Sequence, residues 1–113
     1  MDGELQFVYV VGMRYVGGRW FRFCKVGATA NLRIRRQLYR AHNPFAEFVT
    51  AWACIEAATF EQAWEEFAGT TTWMARPPEP VVQWLRKRSL VMDAFELNSE
   101  QLRAQLNLQT SEA

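Results

Sequence analysis

The sequence predicts an α+β protein built on a small three-stranded antiparallel sheet flanked by helices. Three observations lead there. Two almost unbroken apolar runs rich in β-formers, LQFVYVVGM and RWFRFCKVG, are separated by a Gly17-Gly18 pair, which is a hairpin signal. Segments of helical period then flank a third β-rich run, AEFVTAWACI. Half of the 113 residues are apolar, with five Trp and eight Phe, enough to fill one core in a single domain.

The first strand is expected from Leu5 to Gly12, and its continuous apolarity suits a central position buried on both faces. The second runs from Trp20 to Val26 and ends at Gly27. Thr29 and Asn31 both qualify as N-caps for a helix reaching about Ala41, with Leu32, Ile34, Leu38 and Tyr39 as its apolar residues. The HNPF segment stops it, because the residue before Pro44 is pushed out of the α region. A third strand is expected from Glu47 to Ile55. A second helix follows over roughly 56–68, where Phe60, Ala63, Trp64 and Phe67 recur at helical spacing. The stretch GTTTWMARPPEP reads as turn and loop. A short helix, EPVVQWLRKRS, has Pro80 near its start and a basic end that suits the helix dipole. LVMDAFEL fits a short edge strand. NSEQLRAQLNL fits a last helix with Asn98 and Gln101 spaced as a capping box. The expectation is one domain over 1–108, with its core at about 5–68, a C-terminal helical extension over 69–108, and a disordered polar tail over 109–113.

Composition excludes several classes. No apolar run approaches the roughly 18–20 residues of a membrane span. The acidic opening MDGELQF is unlike the basic start of a signal peptide. Cys24 and Cys54 lie inside apolar runs and read as reduced core thiols of a cytoplasmic protein. One His and two separated Cys give no zinc-type cluster. Net charge is only +1, so any basic footprint must be local.

Such a footprint sits on the first helix. Arg33, Arg36 and Arg40 lie at i, i+3 and i+7 and share a face, while Arg35 points about 100° away from Arg36. The stripe is either a solubilising surface or a contact for nucleic-acid phosphates. The helix start beside Thr29 offers unpaired N–H groups to an anion, so Thr29 is a cap, a phosphate contact or both. Arg86, Lys87 and Arg88 form a second basic cluster, suited to tracking nucleic acid or to capping a helix end. Tyr9 sits mid-strand and would approach Lys25 if the hairpin register allowed. By themselves, Tyr9 is a half-buried aromatic, Lys25 a solvent-face lysine, and Glu61 a solvated helix residue beside Glu65 and Glu66. Together, a tyrosine, a lysine, an arginine and a glutamate on adjoining elements are what metal-assisted phosphodiester cleavage requires. A carboxylate holds the ion, a cation stabilises charge on the phosphate, and a hydroxyl or amine relays a proton.

These residues resemble the GIY-YIG nuclease superfamily. Gly27-Ala28-Thr29-Ala30-Asn31-Leu32-Arg33-Ile34-Arg35 matches the family lettering G-x-T-x-N-L-x-x-R at each fixed position, and Tyr9 stands where the first motif tyrosine would. EAATFEQAW looks like the family's helix that carries the metal-binding glutamate, and places it at Glu61. The likeness covers about Phe7 to Phe67. Two departures stand out: Phe7-Val8-Tyr9 lacks the glycine of the first triplet, and Lys25-Val26-Gly27 replaces the second tyrosine, as in a phage and bacterial branch that shows KIG. The resemblance implies a Mg²⁺- or Mn²⁺-dependent endonuclease acting on nucleic acid, DNA first, with a core order β-β-α-β-α. It implies Tyr9 and Lys25 for water activation, Arg35 for phosphate charge and Glu61 for the metal. His42 would serve as a proton relay or phosphate contact, although it falls two or three positions late. Arg33, Arg36 and Arg40 would hold the backbone. No separate specificity module is visible, so a homodimer or a protein partner would supply target choice. An inactive binding module on this fold, such as a phage inhibitor or adaptor, fits the same chain; an RNA-binding α+β module would need aromatics on an open sheet face, whereas this sequence puts its aromatics where a core wants them.

Overall fold

The structure, a computed structural model, describes residues 5–14, 17–55, 57, 62, 64–65, 68–69 and 72–107. The expected tail at 109–113, the proposed metal ligand Glu61, and Phe60, Ala63, Glu66 and Phe67 of the expected second helix lie outside them.

The chain is α+β. The strands are β1 (Gln6–Arg14), β2 (Trp20–Thr29), β3 (Ala46–Cys54) and β4 (Phe95–Glu96), and the helices are α1 (Leu32–His42), α2 (Pro78–Ser89) and α3 (Ser99–Leu106). Among the described residues the sheet has four strands rather than three, ordered β2-β1-β3-β4, and each neighbouring pair is antiparallel. The two-residue β4 is the edge strand that LVMDAFEL suggested. Both hairpin strands run longer than expected, to Arg14 and Thr29. Gly17 and Gly18 take positive φ (129° and 95°), the conformation for which glycine suits the turn.

β1 is central, and Phe7 through Gly12 are all buried. Alternate residues feed two cores. Phe7, Tyr9 and Val11 pack with Leu32, Ala46, Phe48 and Ala51 under α1 and α3. Val8 and Val10 pack with Cys24, Val26, Trp52, Trp64 and the Val81, Val82 and Leu85 face of α2. Trp52 and Trp64 are wholly buried, each worth several kcal/mol (roughly 3–5) against truncation to Ala. Because helices cover both sides of the central strand, there is no open aromatic sheet face there of the kind an RNA-binding module uses. Ala57, Gln62, Trp64, Glu65 and Ala68 are helical, where the second helix was expected.

Local rules place the helix ends. Asn31, not Thr29, caps α1: its side chain accepts from the Ile34 N–H at 3.0 Å. The Asn98–Gln101 capping box of α3 forms in full. Of the helix's apolar residues, Ile34 and Leu38 are exposed, and Leu32 is the buried residue of α1. Arg86 on α2 grips Glu96 of β4 through two bonds of 2.7 and 2.9 Å, and the buried Thr50 hydroxyl donates to the same carboxylate at 2.7 Å. This clasp ties the short edge strand to α2 and β3. No described helix is long and apolar enough to cross a membrane.

Candidate nucleic-acid site

The hairpin register sets the site. Tyr9 lies opposite Gly27 and Val11 opposite Lys25, so Tyr9, Lys25 and Gly27 share the sheet face that α1 covers. Tyr9 and Lys25 are therefore diagonal neighbours. Gly27 is needed for contact, not for backbone freedom. A Cβ there would fall 2.7 Å from Tyr9 Cζ, while the glycine's own backbone is outside the left-handed region. The phenol of Tyr9 thus lies across Gly27, where any larger residue would displace it.

From α1, Arg35 and Tyr39 stand at i and i+4 on one helix face and reach down to that phenol. Arg35 Nη1 donates to the Tyr9 hydroxyl at 3.2 Å, and the Tyr9 and Tyr39 hydroxyls lie 2.7 Å apart. Lys25 Nζ sits 5.8 Å from the centre of the Tyr39 ring, a cation–π contact. Tyr9 is 0 % exposed. Its oxygen accepts from Arg35, and the 2.7 Å contact with Tyr39 is a hydrogen bond that either hydroxyl can donate, so the enclosed phenol is partnered inside the core. Burial, then the Tyr9 hydrogen bond and the Tyr9 charge, push the Tyr39 phenol well above its ordinary value, against the opposing pull of Arg35. Tyr39 is therefore a neutral phenol at neutral pH, not a phenolate.

This cluster opens into a cleft of about 660 Å³, whose lining includes Lys25, Arg35, Tyr39, His42, Asn43 and Trp73. His42 is the exposed last residue of α1 and borders the cleft. Two residues of this site were not singled out from sequence. In the sequence Tyr39 reads as one more apolar residue of the helix, although its i+4 spacing from Arg35 is legible there, and Trp73 reads as part of a loop.

Other expected contacts lie elsewhere. Arg36 and Arg40 both hold Glu47 of β3: the Arg36 Nη2 and Arg40 Nη2 bonds to Oε2 are each 3.3 Å, and Arg36 Nε lies 3.2 Å from Oε1. Arg40 Nε also donates to the Ala46 carbonyl at 3.0 Å. They form a half-neutralised patch, not a bare stripe, which Arg33 borders. The Thr29 hydroxyl is engaged on both polar groups of Asn31, accepting from its N–H at 3.1 Å and donating to its carbonyl at 3.2 Å. Thr29 is thus a turn-former at the end of β2. Arg86, Lys87 and Arg88 end α2, on the opposite side of the sheet from α1, and Arg86 is committed to Glu96.

The described lining has no carboxylate, and no group of three His, Cys, Asp or Glu among the described residues could hold a metal ion. Two cations beside one His and one Asn do not suit a divalent ion. Their positive charge suits an anion instead. No protein-family model, curated protein or solved structure matches the chain.

Proposed function

We propose that this chain is an endonuclease of the GIY-YIG kind, hydrolysing phosphodiester bonds of nucleic acid, DNA first, in the cleft between α1 and β2. The observation that carries it is the Arg35–Tyr9–Tyr39 chain opening beside Lys25. A phosphodiester oxygen in the cleft meets the Arg35 guanidinium, the Lys25 ammonium and the Tyr39 hydroxyl. All are donors, and all lie on packed elements that need little rearrangement. Tyr9 is enclosed and acts through its neighbours, as a positioning residue for Arg35 and Tyr39. Lys25 and His42 are the groups placed to take or pass a proton at the solvent side. Mg²⁺ or Mn²⁺ enters this reading through Glu61 alone. Buried Cys24 and Cys54, both free thiols, suit a cytoplasmic setting. Target choice is assigned to a second copy or a protein partner.

The test is cleavage of plasmid and oligonucleotide substrates with Mg²⁺ or Mn²⁺, with EDTA as control. Arg35→Ala should lower the rate on the order of 10²–10³-fold, the loss seen when a charge-stabilising donor is removed. Glu61→Gln should abolish metal-dependent cutting. Equal rates in the wild type and both variants would overturn the assignment. The complete burial of Tyr9 favours one other reading, a nucleic-acid-binding module that no longer cuts. It predicts no cleavage with either metal, together with binding that weakens in Lys25→Gln.

A further inference from the structure

Trp73 reaches the cleft by a single β-bridge. Cys24 and Met74 pair antiparallel beyond β2, with N–H···O bonds of 3.1 and 2.8 Å in the two directions. Met74 turns its side chain into the α2-side core. Trp73, one residue earlier, therefore falls on the other face, directly across from Lys25. There its indole stands edge-on to Tyr39, with ring centres 6.0 Å apart and planes at 82°. It is 37 % exposed. Phe23 precedes Lys25 by two residues on the same strand face and is 44 % exposed. Phe23 and Trp73 thus lie on the strand face that carries Lys25, and Trp73 lines the cleft together with Lys25 and Arg35.

We propose that the cleft takes an unpaired stretch of nucleic acid, with a base stacked at Trp73 and the adjoining phosphate on Lys25 and Arg35. This rests on the function proposed above and names its substrate class. Cations alone would serve a duplex, whose phosphates face outward. Aromatic faces would not, because a duplex closes every base face against its neighbours. Alternating aromatic and cationic side chains match a strand whose bases are free to stack. Phe23 extends the track along β2.

The experiment is fluorescence anisotropy in EDTA, so that nothing is cut. It compares a short labelled deoxyribo-oligonucleotide, the duplex of the same sequence and the matching ribo-oligonucleotide. The single strand should bind at least about tenfold more tightly than the duplex. Trp73→Ala should weaken single-strand binding on the order of tenfold to a hundredfold and leave duplex binding unchanged, while Trp73→Phe should retain most of it. Lys25→Gln should weaken both. Equal or tighter duplex binding, or a Trp73→Ala variant that binds single strands like the wild type, overturns the proposal. If that variant does not fold, the wild-type comparison and Trp73→Phe still decide. Equal binding of single strand and duplex with both lost in Lys25→Gln removes this inference and leaves the function standing. Binding of neither removes both. A ribo-oligonucleotide bound as well as the deoxy form supports an unpaired-base site that ignores the sugar.

Discussion

Gly27→Ala separates two physical accounts of the same residue. Backbone entropy alone favours the change. Gly27 lies in β2 outside the left-handed region, so alanine fits its backbone and should stabilise by about 0.4–1 kcal/mol through the unfolded chain. Contact opposes it: the new Cβ would meet Tyr9 Cζ at 2.7 Å, well inside van der Waals distance. Tyr9 cannot retreat easily, because it packs 4.9 Å from the Phe48 ring and its hydroxyl is bonded to Tyr39 and Arg35. Overpacking of this kind costs about 1–3 kcal/mol, and a lost hydrogen bond adds about 1. Contact wins, so Gly27→Ala should be net destabilising by about 1–3 kcal/mol, a drop of roughly 5–20 °C in Tm. Urea unfolding followed by circular dichroism measures it. Repeating it in a Tyr9→Leu background, which removes the ring, should recover at least about 1 kcal/mol of the cost as coupling energy. A neutral or stabilising Gly27→Ala, or the same cost in both backgrounds, would refute the claim that the Tyr9 phenol lies across Gly27.

Three further outcomes are expected. Tyr39→Phe removes the hydrogen bond between the two hydroxyls, leaves the buried Tyr9 hydroxyl short of a partner and should cost about 1–3 kcal/mol. In a spectrophotometric titration the variant should also lack the tyrosine that ionises above the ordinary value. Glu96 is raised by burial but lowered further by the Arg86 and Thr50 hydrogen bonds and the Arg86 charge, so its folded pKa lies below its unfolded one. Its stabilisation is present above the ordinary carboxylate value of about 4.3 and is lost as pH falls through the depressed folded value. Urea midpoints measured from neutral pH downward should show an acid-side loss that Glu96→Gln flattens. Burial pushes the Cys24 and Cys54 thiols up to about 11, Arg76 opposing it at Cys24. A thiol reagent should react slowly with the native protein even at mildly alkaline pH, and quickly with both cysteines in urea.

What the sequence disclosed was local. The turn glycines, the Asn31 cap and the Asn98–Gln101 box act over two to four residues, so their lettering predicts their geometry. Arg35 was singled out by the family resemblance, through the lettering from Gly27 to Arg35, and the structure brings its guanidinium to the Tyr9 hydroxyl of the hairpin. Non-local pairings were not disclosed. Glu47 taking both Arg36 and Arg40 depends on β3 passing beside α1. Trp73 enters the cleft through one bridged residue, and one residue has no periodicity to read. Complete burial of Tyr9 was also hidden, because an apolar strand looks the same whether a helix covers its polar tip or not.

Charge placement favours the cleft, and not the arginine-rich face of α1, as the place where the proposed function would hold its phosphate. On that face two guanidinium groups share the Glu47 carboxylate, so a phosphate arriving there must compete with a carboxylate already held. Such partly exposed pairs contribute little stability, yet they lower the local positive field. In the cleft the described partners of Lys25 and Arg35 are an aromatic ring and a phenol oxygen. Both orient the cations without neutralising them. The arginine number on α1 is therefore a poor guide to where anions go. The sorting is done by Glu47 and Tyr9, one cancelling charge and the other aiming it. Replacing Glu47 by Gln would extend the positive surface round α1 without changing the cleft, so any gain in nucleic-acid affinity should be salt-sensitive and independent of Trp73.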